Sequence, residues 1–133
     1  MHLTARFGPS RAVLAAVALA CLSASVAAQS AATGESKPYD DRLLRLSEIL
    51  GAVHYLRELC GANDGQTWRE RMQELITAEG TSALRRARLT RSFNQGYRSY
   101  SRTYSACSPS AQIAINRFVG EASQLADLLL KVP

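Results

Sequence analysis

The chain has 133 residues, a length that fits one domain, and its 16 Lys and Arg against 11 Asp and Glu give a net charge of +5. Beyond residue 28 no stretch approaches the ~18 consecutive apolar residues a membrane-spanning helix needs. Its two histidines, His2 and His54, are too few for a histidine-rich metal centre, so no metal and no cofactor is expected.

The first 28 residues read as a secretory signal. A short basic segment carries Arg6 and Arg11, the apolar run AVLAAVALACLSASV follows, and Val26 and Ala28 supply the small residues at −3 and −1 of a cleavage site after Ala28. No twin arginine is present, which favours a Sec-type route to the periplasm. The alternative is a lipoprotein box, ALAC, with Cys21 as the lipidated residue. Against it, Ala18 stands where leucine is usual and the apolar run continues past Cys21. Arg6 and Arg11 are the only charges before Gln29, so cleavage lowers the net charge from +5 to +3. Residues 29–38, QSAATGESKP, are small and polar and are expected to form a flexible tether to a single domain over 39–133.

From Tyr39 onward the apolar residues recur at helical spacing, and the fold class expected is all-α: a four-helix up-down bundle. The first helix is expected over about 40–60, with Asp40 or Asp41 capping it and Leu46, Ile49, Leu50, Val53, Leu56 and Cys60 on one stripe. Gly61 suits the left-handed position just past its end. The second is expected over 67–79, opened by a capping box between Thr67 and Glu70, with Trp68, Met72, Leu75 or Ile76, and Glu79 on one face. The third is expected over 82–105, with a stripe of Leu89, Phe93, Tyr97, Tyr100 and Tyr104 and with Gly96 inside it, where a neighbour could pack closely. The fourth is expected over 109–130, with Ser108 as N-cap, Pro109 at the first position, and Ile115, Phe118, Val119, Ala122, Leu125 and Leu129 facing inward.

Two cysteines remain after the expected cleavage, Cys60 and Cys107. An up-down path ends the first helix and the third helix at the same end of the bundle, which brings these two together as a disulfide in an oxidising compartment. Closing a loop of that length is worth roughly 4 kcal/mol in the chain-entropy model. There is no C-x-x-C, so a thioredoxin-like role has no support. His54 lies six residues from Cys60, about 240° away around a helix, so the two do not share a face. A satisfied histidine at the edge of the core is the expectation there.

Two features point to function. Glu79 falls on the apolar face of the second helix; a carboxylate in that setting could act as acid or base in a small envelope enzyme acting on glycan, although no second carboxylate accompanies it closely. The commoner fate of such a residue is a pairing with arginine. The second feature is broader. From Gly80 to Gly120 there is no acidic residue and there are seven arginines. Arg88, Arg91, Gln95, Arg98 and Arg102 form one stripe, about 100° from the stripe that carries Tyr97 and Tyr100. Arginines in a row can grip phosphates or carboxylates, and a solvated helix face is the bland counterpart. Export takes the chain away from nucleic acid. The favoured reading is a non-enzymatic cell-envelope protein that binds an envelope protein or an anionic envelope component through this basic-aromatic face. An anionic-lipid or lipopolysaccharide-binding module and the Glu79 enzyme are the alternatives.

The segments LGAVHYLRELCG, WRERMQELITAE and FNQGYRSYSRTYSAC resemble a family of short exported alphaproteobacterial proteins of unknown function. The resemblance covers about residues 43–130. It implies export and a disulfide between two well-separated cysteines, here Cys60 and Cys107, and it implies no activity, substrate or cofactor.

Overall fold

The computed structural model describes residues 36–133. The expected signal segment, its Cys21 and most of the tether lie outside the described residues. Four helices follow in up-down succession: α1 Asp40–Leu59, α2 Gly65–Glu79, α3 Ala83–Thr103 and α4 Pro109–Leu130. The all-α expectation holds, and each helix lies within a few residues of its expected place.

The helix ends show which local signals won. At the end of α1, Gly61 takes φ +74°, its N–H donates to the Glu58 carbonyl at 3.1 Å, and the Ala62 N–H donates to the Arg57 carbonyl at 3.0 Å. That pair of bonds closes the helix as expected of a glycine just past the C-cap. Ser82 and Ser108 cap α3 and α4 by accepting from the amides of Arg85 and Ala111. The capping box expected at Thr67 and Glu70 does not form. Helix α2 begins earlier, at Gly65, so Thr67 is already inside its first turn. The side chain of the residue at the cap, Asp64, bonds no α2 amide because its carboxylate is held by the Arg57 guanidinium. Asp40 and Asp41 do not cap α1 either; Tyr39 occupies the cap. Asp40 turns back to accept from the Lys37 amide at 3.0 Å. Helix α3 ends at Thr103, short of 105, where Tyr104 is extended and its carbonyl accepts from the Tyr55 hydroxyl.

Helix α1 is the hub. Helices α2, α3 and α4 all pack on it, α3 most extensively, whereas the backbone of α4 approaches neither α2 nor α3. Leu46, Ile49, Leu50, Val53 and Leu56 of the expected stripe are buried, as are Ser47, Gly51, Ala52 and His54, whereas Cys60 lies just past the helix and is half-buried. Within α1 only Asp41, Arg42 and Glu58 are exposed. On one side Ile49, Val53 and Leu56 meet Ala111, Ala114, Ile115 and Phe118 of α4. On the other, Leu43, Leu46 and Leu50 meet Met72 of α2 and Leu89 of α3.

The α1–α3 crossing is tight because two glycines face across it. A Cβ built on Gly96 would lie 1.9 Å from the Glu48 carbonyl oxygen, and one on Gly51 would lie 1.9 Å from the Phe93 carbonyl oxygen. Only glycine lets the two backbones come this close. The close packing expected at Gly96 is present, and Gly51 is its unforeseen counterpart. One inward assignment fails: Val119 is 41% exposed. It lies about 100° around α4 from Phe118, beyond the reach of α1.

Candidate functional site

The outer face of α3 carries the arginine stripe. Arg91, Gln95, Arg98 and Arg102 are exposed and Arg88 is half-buried. From Arg88 to Arg102 the row spans about 21 Å of helix axis. Arg91, Asn94, Gln95, Arg98, Ser99 and Arg102 line one continuous groove along it.

Four arginines elsewhere are ion-paired, whereas Arg42, Arg69, Arg86 and Arg117 have no carboxylate within ion-pair distance among the described residues. Arg45 donates to Glu121 at 2.7 Å and to Glu48 at 3.0 Å, bracing α1 against α4. Arg57 pairs with Asp64 at 2.5 Å and Arg71 with Glu74 at 3.0 Å. Arg91, Arg98 and Arg102 have no carboxylate within ion-pair distance among the described residues. The cause is in the sequence, since no acid occurs between Gly80 and Gly120.

The tyrosines of the expected basic-aromatic face turn the other way. The Tyr97 ring meets Tyr55 edge-on at 5.3 Å and His54 at 5.6 Å. Tyr100 meets Phe118 edge-on at 4.9 Å and stacks on Tyr104 at 6.2 Å. Both are half-buried and tie α3 to α1 and α4. The groove itself is therefore arginine, amide and hydroxyl, without an aromatic wall.

Glu79 ends α2 and its carboxylate is already engaged. It accepts from the Tyr39 hydroxyl at 3.1 Å and pairs with Arg85 at 3.2 Å and Lys37 at 3.8 Å. Arg85 is the centre of this cluster and is only 3% exposed. Its Nε donates to the Glu79 carbonyl at 2.7 Å, and its guanidinium pairs with Asp40 at 2.7 Å. Burial by itself would raise the Asp40 pKa; hydrogen bonds from Arg85 and the Lys37 amide outweigh it and hold the carboxyl below the usual range. The cluster thus clamps the start of α1, the end of α2 and the first turn of α3.

His54 is a core residue rather than an edge one, with 2% of its surface exposed. Its ring lies between α1 and α3, 5.9 Å from the Phe93 ring, and Nε2 accepts from the Arg69 Nε at 3.2 Å. Glu58 lies 3.8 Å from the same nitrogen, and the other ring nitrogen, Nδ1, is buried without a hydrogen-bond partner. Cys60 takes no part there. It is bonded to Cys107, with Cα atoms 4.8 Å apart, joining the end of α1 to the α3–α4 turn as the topology requires.

A second concavity escaped the sequence reading. Helices α2 and α4 stand apart over α1, leaving a cleft of about 470 Å³ lined by Leu46, Leu50, Trp68, Leu75, Ala122 and Ala126. Three separate stretches supply its walls, so no single periodicity announces it. Among the described residues no cluster of three or more His, Cys, Asp and Glu is placed to hold a metal, and no helix is long and apolar enough to cross a membrane.

The family model described as a protein of unknown function (DUF2385) matches residues 38–132. No curated protein and no solved structure matches the chain.

Proposed function

The chain belongs to the DUF2385 family of proteins of unknown function, and from that premise we propose that it is an exported, non-enzymatic protein of the cell envelope that binds an anionic partner through the outer face of α3. The observation that carries this reading is the alignment of three exposed arginines without carboxylate partners along one helix face. The domain neutralises Arg45, Arg57, Arg71 and Arg85 with its own carboxylates and leaves Arg91, Arg98 and Arg102 in a row with none. Three guanidiniums along one helix face offer the bidentate donors that carboxylates and phosphates accept. The separation of roles supports it further: the tyrosines of α3 hold the fold, so the arginines are not needed for packing. Export rests on the sequence of residues 1–28, and the Cys60–Cys107 disulfide is consistent with an oxidising compartment such as the periplasm.

The test is in-cell crosslinking from position 95, between the arginines, comparing the native chain with R91Q/R98Q/R102Q. The reading expects adducts that the triple variant loses while still accumulating as folded, disulfide-bonded protein. An unchanged adduct profile in the folded variant would count against it.

A further inference from the structure

The arrangement of the groove narrows the ligand, and the inference rests on the binding reading above. A compact anion such as free phosphate is best held by donors that converge on one point. Here the donors do not converge. Arg91, Arg98 and Arg102 follow one another along about 16 Å of helix axis, and the groove between them is continuous. Such a row matches a ligand whose charges repeat along a line.

The residues between the arginines add a second constraint. Asn94, Gln95 and Ser99 line the same groove and present amide and hydroxyl groups that both donate and accept. They can donate to an anion as the arginines do, but unlike the arginines they also accept, which suits hydroxyl groups set between charges. The surroundings add a third. An interfacial helix needs an apolar face to enter a bilayer. The apolar stripe of α3, from Leu89 through Phe93 and Tyr97 to Tyr100, is turned against α1 and α4, so a lipid surface finds charge there and no anchor.

We infer that the α3 groove binds a linear acidic glycan, with Arg91, Arg98 and Arg102 pairing its repeated carboxylates and Asn94, Gln95 and Ser99 taking hydroxyls between them. A bound chain would lie along the axis of α3. No bond is made or broken, and the fold need not move.

The experiment measures binding of the mature chain to polygalacturonate, to poly-glutamate and to vesicles containing phosphatidylglycerol, each at low and at physiological salt. The native chain should bind polygalacturonate in preference to the other two. R91Q/R98Q/R102Q should weaken that binding about tenfold, the sum of three exposed charge pairs. N94A/Q95A keeps all three arginines and should weaken polygalacturonate binding several-fold and poly-glutamate binding clearly less. Equal binding of poly-glutamate, with no effect of N94A/Q95A, overturns the glycan assignment in favour of an acidic protein. Binding to vesicles alone overturns it in favour of anionic lipid. In both cases the broader reading of an anion-binding face survives. Binding to none of the three overturns the glycan assignment and the broader reading together. Circular dichroism of each variant checks that the helices are intact.

Discussion

Helix α3 holds the same residue type in two settings. At its first turn Arg85 is buried, with Asp40 and Glu79 against its guanidinium. Further along, Arg91, Arg98 and Arg102 stand in solvent with no carboxylate beside them. The difference lies in what the rest of the chain brings. The start of α1 and the end of α2 deliver two carboxylates to the first turn, whereas nothing acidic reaches the outer face. A buried charge must be paired or the fold loses it. An exposed one is free to be used.

Breaking the inner setting should have the largest effect. Arg85→Ala strands Asp40 and Glu79 and should cost about 3–5 kcal/mol, read by denaturant unfolding. The same experiment on Arg98→Ala should show a change of no more than about 0.5 kcal/mol. If the two variants lose equal stability, the division of labour along α3 is wrong.

Replacing Cys60 and Cys107 together by serine should cost roughly 4 kcal/mol. Mass spectrometry of the denatured, alkylated native protein should first find no free thiol at either position. Next comes Gly96→Ala, which forces a methyl group against the Glu48 carbonyl and should cost about 1–3 kcal/mol through a widened α1–α3 crossing. That loss would also disturb the face on which the arginines are displayed, so the variant should bind less well as well as unfold earlier.

The smallest of these effects depends on pH. Asp40 has a folded pKa below its unfolded one, so it binds its proton less readily in the native state. Its contribution is fully present above the unfolded value, near 4, and is lost as pH falls through the folded value. Unfolding midpoints of the native chain should therefore decline on acidification below about pH 4 more steeply than those of Asp40→Asn. The outer arginines stay charged throughout, and their substitution should leave the slope of this acid limb unchanged.

Much of this was legible in the sequence. The helices follow from the 3.6-residue spacing of large apolar residues. The disulfide follows from the up-down path, which sets Cys60 and Cys107 at one end. The offset between the arginine and tyrosine stripes was readable as about 100° of helix, and it decides that Tyr97 and Tyr100 face inward while the arginines face out. What was not legible depends on partners distant in sequence. Burial on α1 beyond its apolar stripe involves Ser47, Gly51, Ala52 and His54, residues that a hydropathy pattern treats as neutral. The capping box at Thr67 had the right spacing, but an earlier start to α2 placed Thr67 inside the helix, while Arg57 from α1 held Asp64 at the cap. Glu79 looked like a carboxylate out of place until the fold brought Arg85, Tyr39 and Lys37 to it. The pairing of Gly51 with Gly96 needs the crossing point of two helices, which neither helix encodes alone.

The division between folding and binding arginines reduces to one measurement. Thermal unfolding of the native chain and of R91Q/R98Q/R102Q is recorded with and without dextran sulfate, a polysaccharide that carries repeated anionic groups. A ligand that binds only the folded state raises the midpoint by mass action. The two proteins should melt together without the polyanion, and the native chain should gain the larger upward shift with it. A triple variant that melts well below the native chain on its own, or that gains the same shift from the polyanion, would contradict the assignment of these arginines to binding.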